Sequence, residues 1–163
     1  MENAVSGTVS VVPLSGKGKF TVLTDIQVGN EPRGCALTPN GGRLFVANHT
    51  DGTVSVIDTK TRQVVGTVAV GGNPTAIAIT DDRDKKDLTE LVFVTDFFSA
   101  LIPGKSEPFD DARRGLVWAF PAGALGPVTQ VTLSPLATAG FGADRAKFCN
   151  LTTAPDPHSQ VYC

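Results

Sequence analysis

The sequence repeats itself at a spacing of just over forty residues, and this internal repeat constrains the fold more than any other feature. The segment VGNEPRGCALT (28–38) aligns with VGGNPTAIAIT (70–80) at an offset of 42. A second alignment, at an offset of 45, matches NAVSGTVSVV (3–12) with NHTDGTVSVI (48–57). Repeats of this length are typical of stacked supersecondary units, each of which buries its apolar face against its neighbours.

A third copy of the repeat is more divergent. Its VFVTD segment (92–96) matches LFVAN (44–48), and its GLVWAF segment (115–120) matches GTVSVI (52–57). The chain therefore contains one complete unit, a divergent unit after it and part of a unit before it.

The complete unit predicts four short β-strands, because its Val, Ile and Phe residues alternate in part with polar residues between turn segments. The segments TPNGG and NHTDG offer Asn and Gly where a hairpin turn needs positive φ, and DTKTR is a polar third turn. Four antiparallel strands per repeat, followed by the connection VGGNP, describe one blade of a β-propeller. A β-sandwich with accidental similarity is the alternative. The predicted strands are 33–38, 43–48, 53–58 and 63–70.

The predicted fold class is all-β: a partial β-propeller of about two and a half four-stranded antiparallel blades plus an irregular C-terminal tail. The chain opens at the second hairpin of a blade, so two strands of that blade are expected to be missing. Within the propeller region, 1–133, we expect a half blade at 3–28 and blades at 33–70 and 75–133. Gly, Pro, Ser and Thr in 134–163 predict an irregular tail or the start of an insertion.

Two tetrapeptides in the repeat resemble the signature of the YVTN-type β-propeller repeat family, which is bacterial and archaeal. They are Phe45-Val46-Ala47-Asn48 and, more loosely, Phe93-Val94-Thr95-Asp96, each followed by a glycine-led strand. Asn3 occupies the Asn position of the first copy. The resemblance covers residues 3–133. It implies a propeller fold but says little about function, because unrelated activities occur on this scaffold.

An open stack of blades predicts association. Propellers of this kind close with four to eight blades, and an incomplete stack exposes apolar faces and unpaired strand edges. We therefore expect the partners to be the remaining blades of a longer chain, or copies of this chain in a homo-oligomer. A separate protein partner is a further expectation.

Charge and hydropathy exclude some classes of partner. Lys and Arg total 14 against 16 Asp and Glu, and without a basic stretch nucleic acid is not an expected partner. No window approaches the roughly 20 apolar residues of a membrane span. The sequence shows no signal-peptide pattern. We therefore expect a periplasmic or extracellular location for the longer parent protein of which this chain would be a segment.

The longest insertion, at 97–115, is the predicted interaction loop, because function in such scaffolds is concentrated in connecting loops. Its apolar residues would form a lid or docking surface with a charged rim. Alternatively, the aromatic side chains fold back over the blade edge and the charges pair with each other. The candidate residues are Phe97, Phe98, Leu101, Ile102, Phe109, Asp110, Asp111, Arg113 and Arg114.

A second insertion, at 81–90, is acidic. Asp81, Asp82, Asp84 and Asp87 would in principle bind Ca²⁺, which takes six to eight oxygen ligands. The spacing matches no calcium loop, and neighbouring Arg and Lys residues neutralise the acids. We therefore expect a solvated loop and assign no metal.

The cysteine and histidine residues give little support for a catalytic or metal-binding site. Cys35 lies in a predicted strand, where a buried, unreactive thiol is expected. A disulfide between Cys149 and Cys163 is consistent with export, and the free-thiol alternative stays open. His49 is expected to be exposed in a hairpin turn, and neither it nor His158 lies near a nucleophile in sequence.

The sequence thus favours a non-catalytic binding or scaffold segment of a larger exported or cell-surface β-propeller, with loops that contact a protein or ligand. No catalytic, cofactor-binding or metal-binding residue is assigned. The alternative is a fragment of a propeller enzyme, similar to propeller lactonases or to the propeller subunit of periplasmic quinoprotein dehydrogenases.

Overall fold

The protein forms three consecutive antiparallel sheets, which we number blades 1 to 3. The structure, a computed structural model, describes residues 2–84, 86–105 and 112–135. The predicted all-β, partial β-propeller fold is confirmed, while most of the predicted tail lies outside the described residues. Within those ranges, no helix has the length and apolar character that crossing a bilayer requires.

Blade 1 is a three-stranded sheet with the order β1-β2-β3. We expected two strands here. The additional strand exists because Glu2 and Asn3 still pair with Val9 and Thr8, as the end of a second blade strand would. The strands are β1 (Glu2–Asn3), β2 (Thr8–Val11) and β3 (Thr24–Gln27).

Blade 2 is a complete four-stranded antiparallel sheet whose strands pair in chain order. Its strands begin and end within one residue of the predicted positions, because Asn, Gly and Asp in the intervening turns end each strand. The strands are β4 (Pro32–Leu37), β5 (Arg43–Asn48), β6 (Thr53–Asp58) and β7 (Gln63–Ala69).

Blade 3 repeats this arrangement with longer connections. Its β8, β9, β11 and β12 pair successively, and the two-residue β10 pairs with the start of β11. The strands are β8 (Pro74–Ile79), β9 (Leu91–Asp96), β10 (Ala100–Leu101), β11 (Arg113–Pro121) and β12 (Thr129–Leu133). The chain divides into two compact structural units, and the boundaries between them fall within the residues of blade 3. The first unit is Met1–Phe98 with Val117–Val131, and the second is Ser99–Leu116 with Thr132–Cys163.

The interface between blades 1 and 2 is aliphatic. Val9 and Ile26 of blade 1 form one buried cluster with Val46 and Ile57 of blade 2. Because successive side chains of a strand point to opposite faces, Phe45 then faces away from blade 1. Burial of both faces of β5 makes blade 2 the centre of the stack.

The interface between blades 2 and 3 is partly aromatic. The Phe45 and Phe120 ring centroids lie 6.1 Å apart, and both side chains are at most 1% exposed. Val54 and Val56, which pair with Ala47 and Phe45 across β5 and β6, are fully buried on the same face. These positions alternate with those that pack on blade 1, as a two-sided sheet requires.

A glycine allows the first strands of blades 2 and 3 to approach each other. A Cβ atom on Gly34 would lie 2.1 Å from the Thr75 carbonyl oxygen, so no larger residue fits. The 42-residue offset places Ala76 at the corresponding position of blade 3.

Candidate functional site

Antiparallel pairing brings several connections to one end of blade 2, which we call the crossover end. It carries the interblade connections 28–31 and 70–73 and the turn 49–52. The backbone hydrogen bonds of these connections repeat: Val28 N–H donates to the Gly7 carbonyl and Val70 N–H to that of Gly52.

Asn48, the last residue of the YVTN-like tetrapeptide, is a structural residue at this end. It is fully buried, and its side-chain oxygen accepts a 3.1 Å hydrogen bond from Gly29 N–H. Its amide NH₂ donates to the hydroxyls of Thr53 and Ser55, both at 2.9 Å. Asn48 therefore holds the connection from blade 1 against β6, and the last residue of the tetrapeptide has a structural role.

His49 is buried, and the expectation that it is exposed was wrong. Its side chain is 6% exposed, and Nδ1 lies 3.3 Å from the Pro74 carbonyl oxygen and 3.4 Å from the Thr75 hydroxyl. The Asn73 side-chain amide donates to the His49 carbonyl at 3.3 Å. The connection into blade 3 covers this turn, and turn chemistry within 48–52 does not reveal a contact so distant in sequence.

Three rings at the crossover end form what we call the aromatic cluster: His49, Phe97 and Phe98. The Phe97 and Phe98 rings meet edge to face at 4.8 Å and 88°, and Phe97 lies 5.5 Å from the His49 ring. Phe97 and Phe98 remain 54% and 56% exposed. The cluster is therefore anchored on a buried ring and open to solvent.

An ion pair borders the aromatic cluster. The Arg33 guanidinium lies 5.6 Å from the Phe97 ring centroid and 2.5 Å from a Glu31 carboxylate oxygen. Hydrogen bonds from the Thr50 hydroxyl and from Arg33 lower the pKa of Glu31. Arg33, Glu31 and His49 were missed in the sequence analysis, because only the fold brings them beside Phe97.

The remaining residues of the predicted interaction loop belong to the second structural unit or lie outside the described residues. Leu101 is 47% exposed in β10, and Ile102 N–H donates to the Ala112 carbonyl. Arg113 donates to the Ser99 carbonyl at 2.5 Å, and Arg114 lies in β11 opposite Ala100. The residues outside the described ranges are Phe109, Asp110 and Asp111.

The acidic insertion brings together Asp82, Asp84 and Glu90, whose nearest carboxylate oxygens lie within 4.8 Å of one another. Glu90 is buried and accepts hydrogen bonds from the Thr80 hydroxyl and Asp82 N–H. One ligand oxygen from each residue is fewer than Ca²⁺ takes. The sequence analysis did not include Glu90 among the acidic candidates.

Asp87 lies apart from this group and connects blade 3 to blade 2. Its carboxylate accepts hydrogen bonds from the Thr38 hydroxyl at 2.7 Å, Asn40 N–H at 2.8 Å and Gly42 N–H at 3.0 Å. Burial opposes ionisation of Asp87, but these hydrogen bonds outweigh it and lower its pKa. Asp87 is half-buried in an otherwise exposed stretch of the insertion, and its hydrogen bonds give it a structural role that the sequence analysis did not predict.

We expect Asp87→Asn to lower the free energy of unfolding at neutral pH by about 1 to 2 kcal/mol, because the amide NH₂ opposes one of the three donors. A lowered pKa means that the carboxylate contributes its stability above about pH 4 and loses it as the pH falls through the folded-state pKa. Urea unfolding between neutral and acidic pH should show a flatter pH dependence in the variant. Asp84→Asn, whose acceptor role is local to Lys86 N–H, is the control, and an equal loss there would contradict the interblade role.

Cys35 is exposed, so the prediction of a buried thiol was wrong. Its strand, β4, is at the edge of blade 2, and Arg33, Cys35 and Leu37 share one exposed face. Partial desolvation and the nearby Glu2 carboxylate raise the pKa of the Cys35 thiol to about 11. The predicted pairing of Cys149 with Cys163 lies outside the described residues.

Comparison with known proteins supports the fold and leaves the family open. No protein-family model matches the chain. The PE-PGRS family protein PE_PGRS18 of Mycobacterium tuberculosis is 42% identical over 50 residues, which is 31% of this chain and 11% of that protein.

Two solved structures are similar in fold. The first is hydrazine synthase of Kuenenia stuttgartiensis, with a TM-score of 0.61 and 22% identity over 82% of this chain and 32% of that chain. The second is a functionally unknown protein from Desulfotomaculum acetoxidans DSM 771, with a TM-score of 0.55 and 18% identity over 80% and 36%. The chain spans about a third of the length of these structures, and at these identities the likeness concerns the fold alone.

Proposed function

We propose that this chain is a non-catalytic binding segment of a larger, exported or cell-surface β-propeller of the YVTN repeat type, and that its aromatic cluster contacts a protein partner. The observation that carries the proposal is the exposed pair Phe97 and Phe98, held edge to face against the buried His49 ring. Aromatic side chains in fixed positions contribute strongly to interfaces, because they bury a large area and lose little conformational freedom.

The charges beside the cluster suit the rim of such an interface. Arg33 contacts the Phe97 ring, and the Glu31 carboxylate pairs with Arg33 and accepts a 2.6 Å hydrogen bond from the Thr50 hydroxyl. Because Arg33 and Glu31 already pair with each other within the protein, we expect them to orient a bound partner and to add little to its affinity. The affinity then depends on burial of Phe97 and Phe98.

The outward face of blade 3 supports a second part of the proposal, that further blades of a longer chain or copies of this chain cover it. Phe45 and Ala47 of blade 2 are fully buried against blade 3. At the corresponding positions of blade 3, Phe93 is half-buried and Thr95 is exposed. A sheet face that is buried in one repeat and exposed to solvent in the next is typical of a surface that another blade or subunit covers.

Selection of a displayed random peptide library against the full chain tests the role of the aromatic cluster. We expect the selected peptides to bind the double variant Phe97→Ser, Phe98→Ser at least about tenfold more weakly than the wild type. Phe20→Ser is the matched control, because Phe20 is 69% exposed, has the Lys19 ammonium 4.6 Å from its ring centroid and lies outside the cluster.

Binding that is lost in the double variant and kept in Phe20→Ser supports the proposal. Peptides that bind all three proteins equally, or that lose affinity only for Phe20→Ser, contradict it. Circular dichroism checks that each variant keeps its strand content. We expect no change, because Phe97 and Phe98 are both exposed and their replacement should leave the fold intact.

A further inference from the structure

An open, partly polar cleft of about 580 Å³ lies between β3 of blade 1 and the strands β6 and β7 of blade 2. This volume lies within the range of small-molecule sites. We call it the interblade cleft. Its lining residues are Gln27, Val28, Gly29, Asn48, Asp51, Thr53, Ser55, Val64 and Thr67.

The repeat explains why the cleft exists. The alignment places Ser10, Ser55 and Trp118 at the same position of blades 1, 2 and 3. Trp118 is 4% exposed and fills the space beside the connection into blade 3, where its ring lies 2.8 Å from the place of a Cβ on Gly72. A serine at this position leaves the space beside the connection into blade 2 open, and the cleft lies where blade 3 carries a buried indole ring.

The hydroxyl groups of Thr53 and Ser55 line this space. Gly29 N–H fixes the orientation of the Asn48 amide, whose NH₂ then donates to the oxygens of Thr53 and Ser55. A hydroxyl that accepts in this way keeps its own proton for another acceptor. In the described part of the chain neither hydroxyl donates to a protein group, although Ser55 is only 3% exposed.

Blade 1 shows the alternative arrangement. Ser10, the counterpart of Ser55, donates to the Asp25 carboxylate across the strand pair. In blade 2 the cross-strand partner of Ser55 is Thr67, which brings a second hydroxyl and no carboxylate. The chain therefore satisfies this hydroxyl internally in blade 1 and leaves it available in blade 2.

The charge and shape of the cleft restrict the ligand. Its lining contains the Asp51 carboxylate and no cationic side chain, which disfavours anions. Asp51 already accepts two hydrogen bonds from Asn30. The Ser55 and Thr53 hydroxyls need an acceptor, which an ammonium group does not offer, so a neutral hydroxylated ligand is favoured over a cation. Val28 and Val64 add an apolar patch beside the polar groups.

We propose that the interblade cleft binds a neutral hydroxylated ring, one monosaccharide unit, whose ring and hydroxyl oxygens accept from Ser55 and Thr53 and whose hydroxyls donate to Asp51 and Gln27. A ring of this kind presents donors and acceptors around its edge and C–H groups on its faces, matching the lining. The site is separate from the aromatic cluster, and a failure of either proposal leaves the other standing.

Titration of the ¹⁵N-labelled full chain with D-glucose, D-galactose and D-mannose in turn tests the inference by NMR. We expect at least one sugar to shift the amide signals of Thr53, Ser55 and Thr67 in a saturable manner. Ser55→Trp, which copies blade 3, should place an indole ring in the part of the cleft beside position 55 and abolish these shifts. Ser55→Ala should weaken binding about tenfold by removing one donor, while Ser10→Ala, the repeat-matched control, should leave it unchanged.

Three results would overturn the inference: no saturable shifts with any of the neutral sugars, binding that persists in Ser55→Trp, or binding of glucosamine or glucose 6-phosphate without binding of the neutral sugars. Circular dichroism reports whether Ser55→Trp folds. If it does not, Ser55→Ala, which leaves the backbone and the volume nearly unchanged, decides the question by the same titration: a loss of about tenfold in affinity supports the inference, and unchanged affinity contradicts it.

Discussion

Replacement of Asn48 by leucine is expected to lower the free energy of unfolding by about 2 to 4 kcal/mol. Leucine has a similar size but makes no hydrogen bond, so Gly29 N–H loses its acceptor inside the protein and Thr53 and Ser55 lose their common donor. An unsatisfied buried donor costs more than the net stabilisation that its hydrogen bond contributes. Urea unfolding followed by Trp118 fluorescence measures the loss.

Asn3 supplies a control of the same residue type at the same position of the repeat. It is exposed, and its side-chain oxygen accepts one long hydrogen bond, 3.3 Å, from Ser6 N–H. Asn3→Leu should therefore change the free energy of unfolding by less than about 0.5 kcal/mol. Equal losses in the two variants would show that the Asn48 hydrogen-bond network does not stabilise the blade.

The second large effect is expected at the interface between blades 2 and 3, where Phe45→Ala should destabilise the protein by about 3 to 5 kcal/mol. The Phe45 ring is fully buried and meets the Phe120 ring at 6.1 Å. Its removal leaves a cavity between two sheets whose backbones are held by their own hydrogen bonds and cannot collapse into it. Thermal and urea unfolding both report the change.

Phe93→Ala is the matched control for this substitution, because Phe93 pairs with Ala119 across β9 and β11 as Phe45 pairs with Val56 across β5 and β6. Phe93 is only half-buried, so we expect less than half the loss of Phe45→Ala. A larger loss for Phe93→Ala than for Phe45→Ala would mean that the outward face of blade 3 is the better packed of the two.

The repeat predicted the strands well because the strand positions of a blade are set by residues within that blade. Apolar alternation sets which residues of β5 and β6 face each neighbour, and Asn-Gly and Asp-Gly turns set where the strands end. In blade 2 the offsets between copies therefore gave strand boundaries close to those observed. The alignment of the copies also pairs Ser55 of blade 2 with Trp118 of blade 3, so the difference in side-chain size at this position is visible in the sequence.

Contacts between blades could not be read from the sequence. The burial of His49 depends on Pro74 and Thr75 at the start of β8 in the next blade, and the position of Asp87 depends on the hairpin that contains Thr38 in the preceding blade. Residues about 25 to 50 positions apart make these contacts, and turn chemistry carries no information about them. One indirect signal existed: Gly42 corresponds to Glu90, and a glycine there leaves room for the Asp87 carboxylate.

The central claim is that consecutive repeats stack face to face as propeller blades, and a nuclear Overhauser experiment on the full chain tests it most directly. The account predicts contacts between the ring protons of Phe45 and Phe120 and between the methyl groups of Val9 and those of Val46 or Ile57. Cross-strand contacts within each sheet, with none between these pairs, would contradict it.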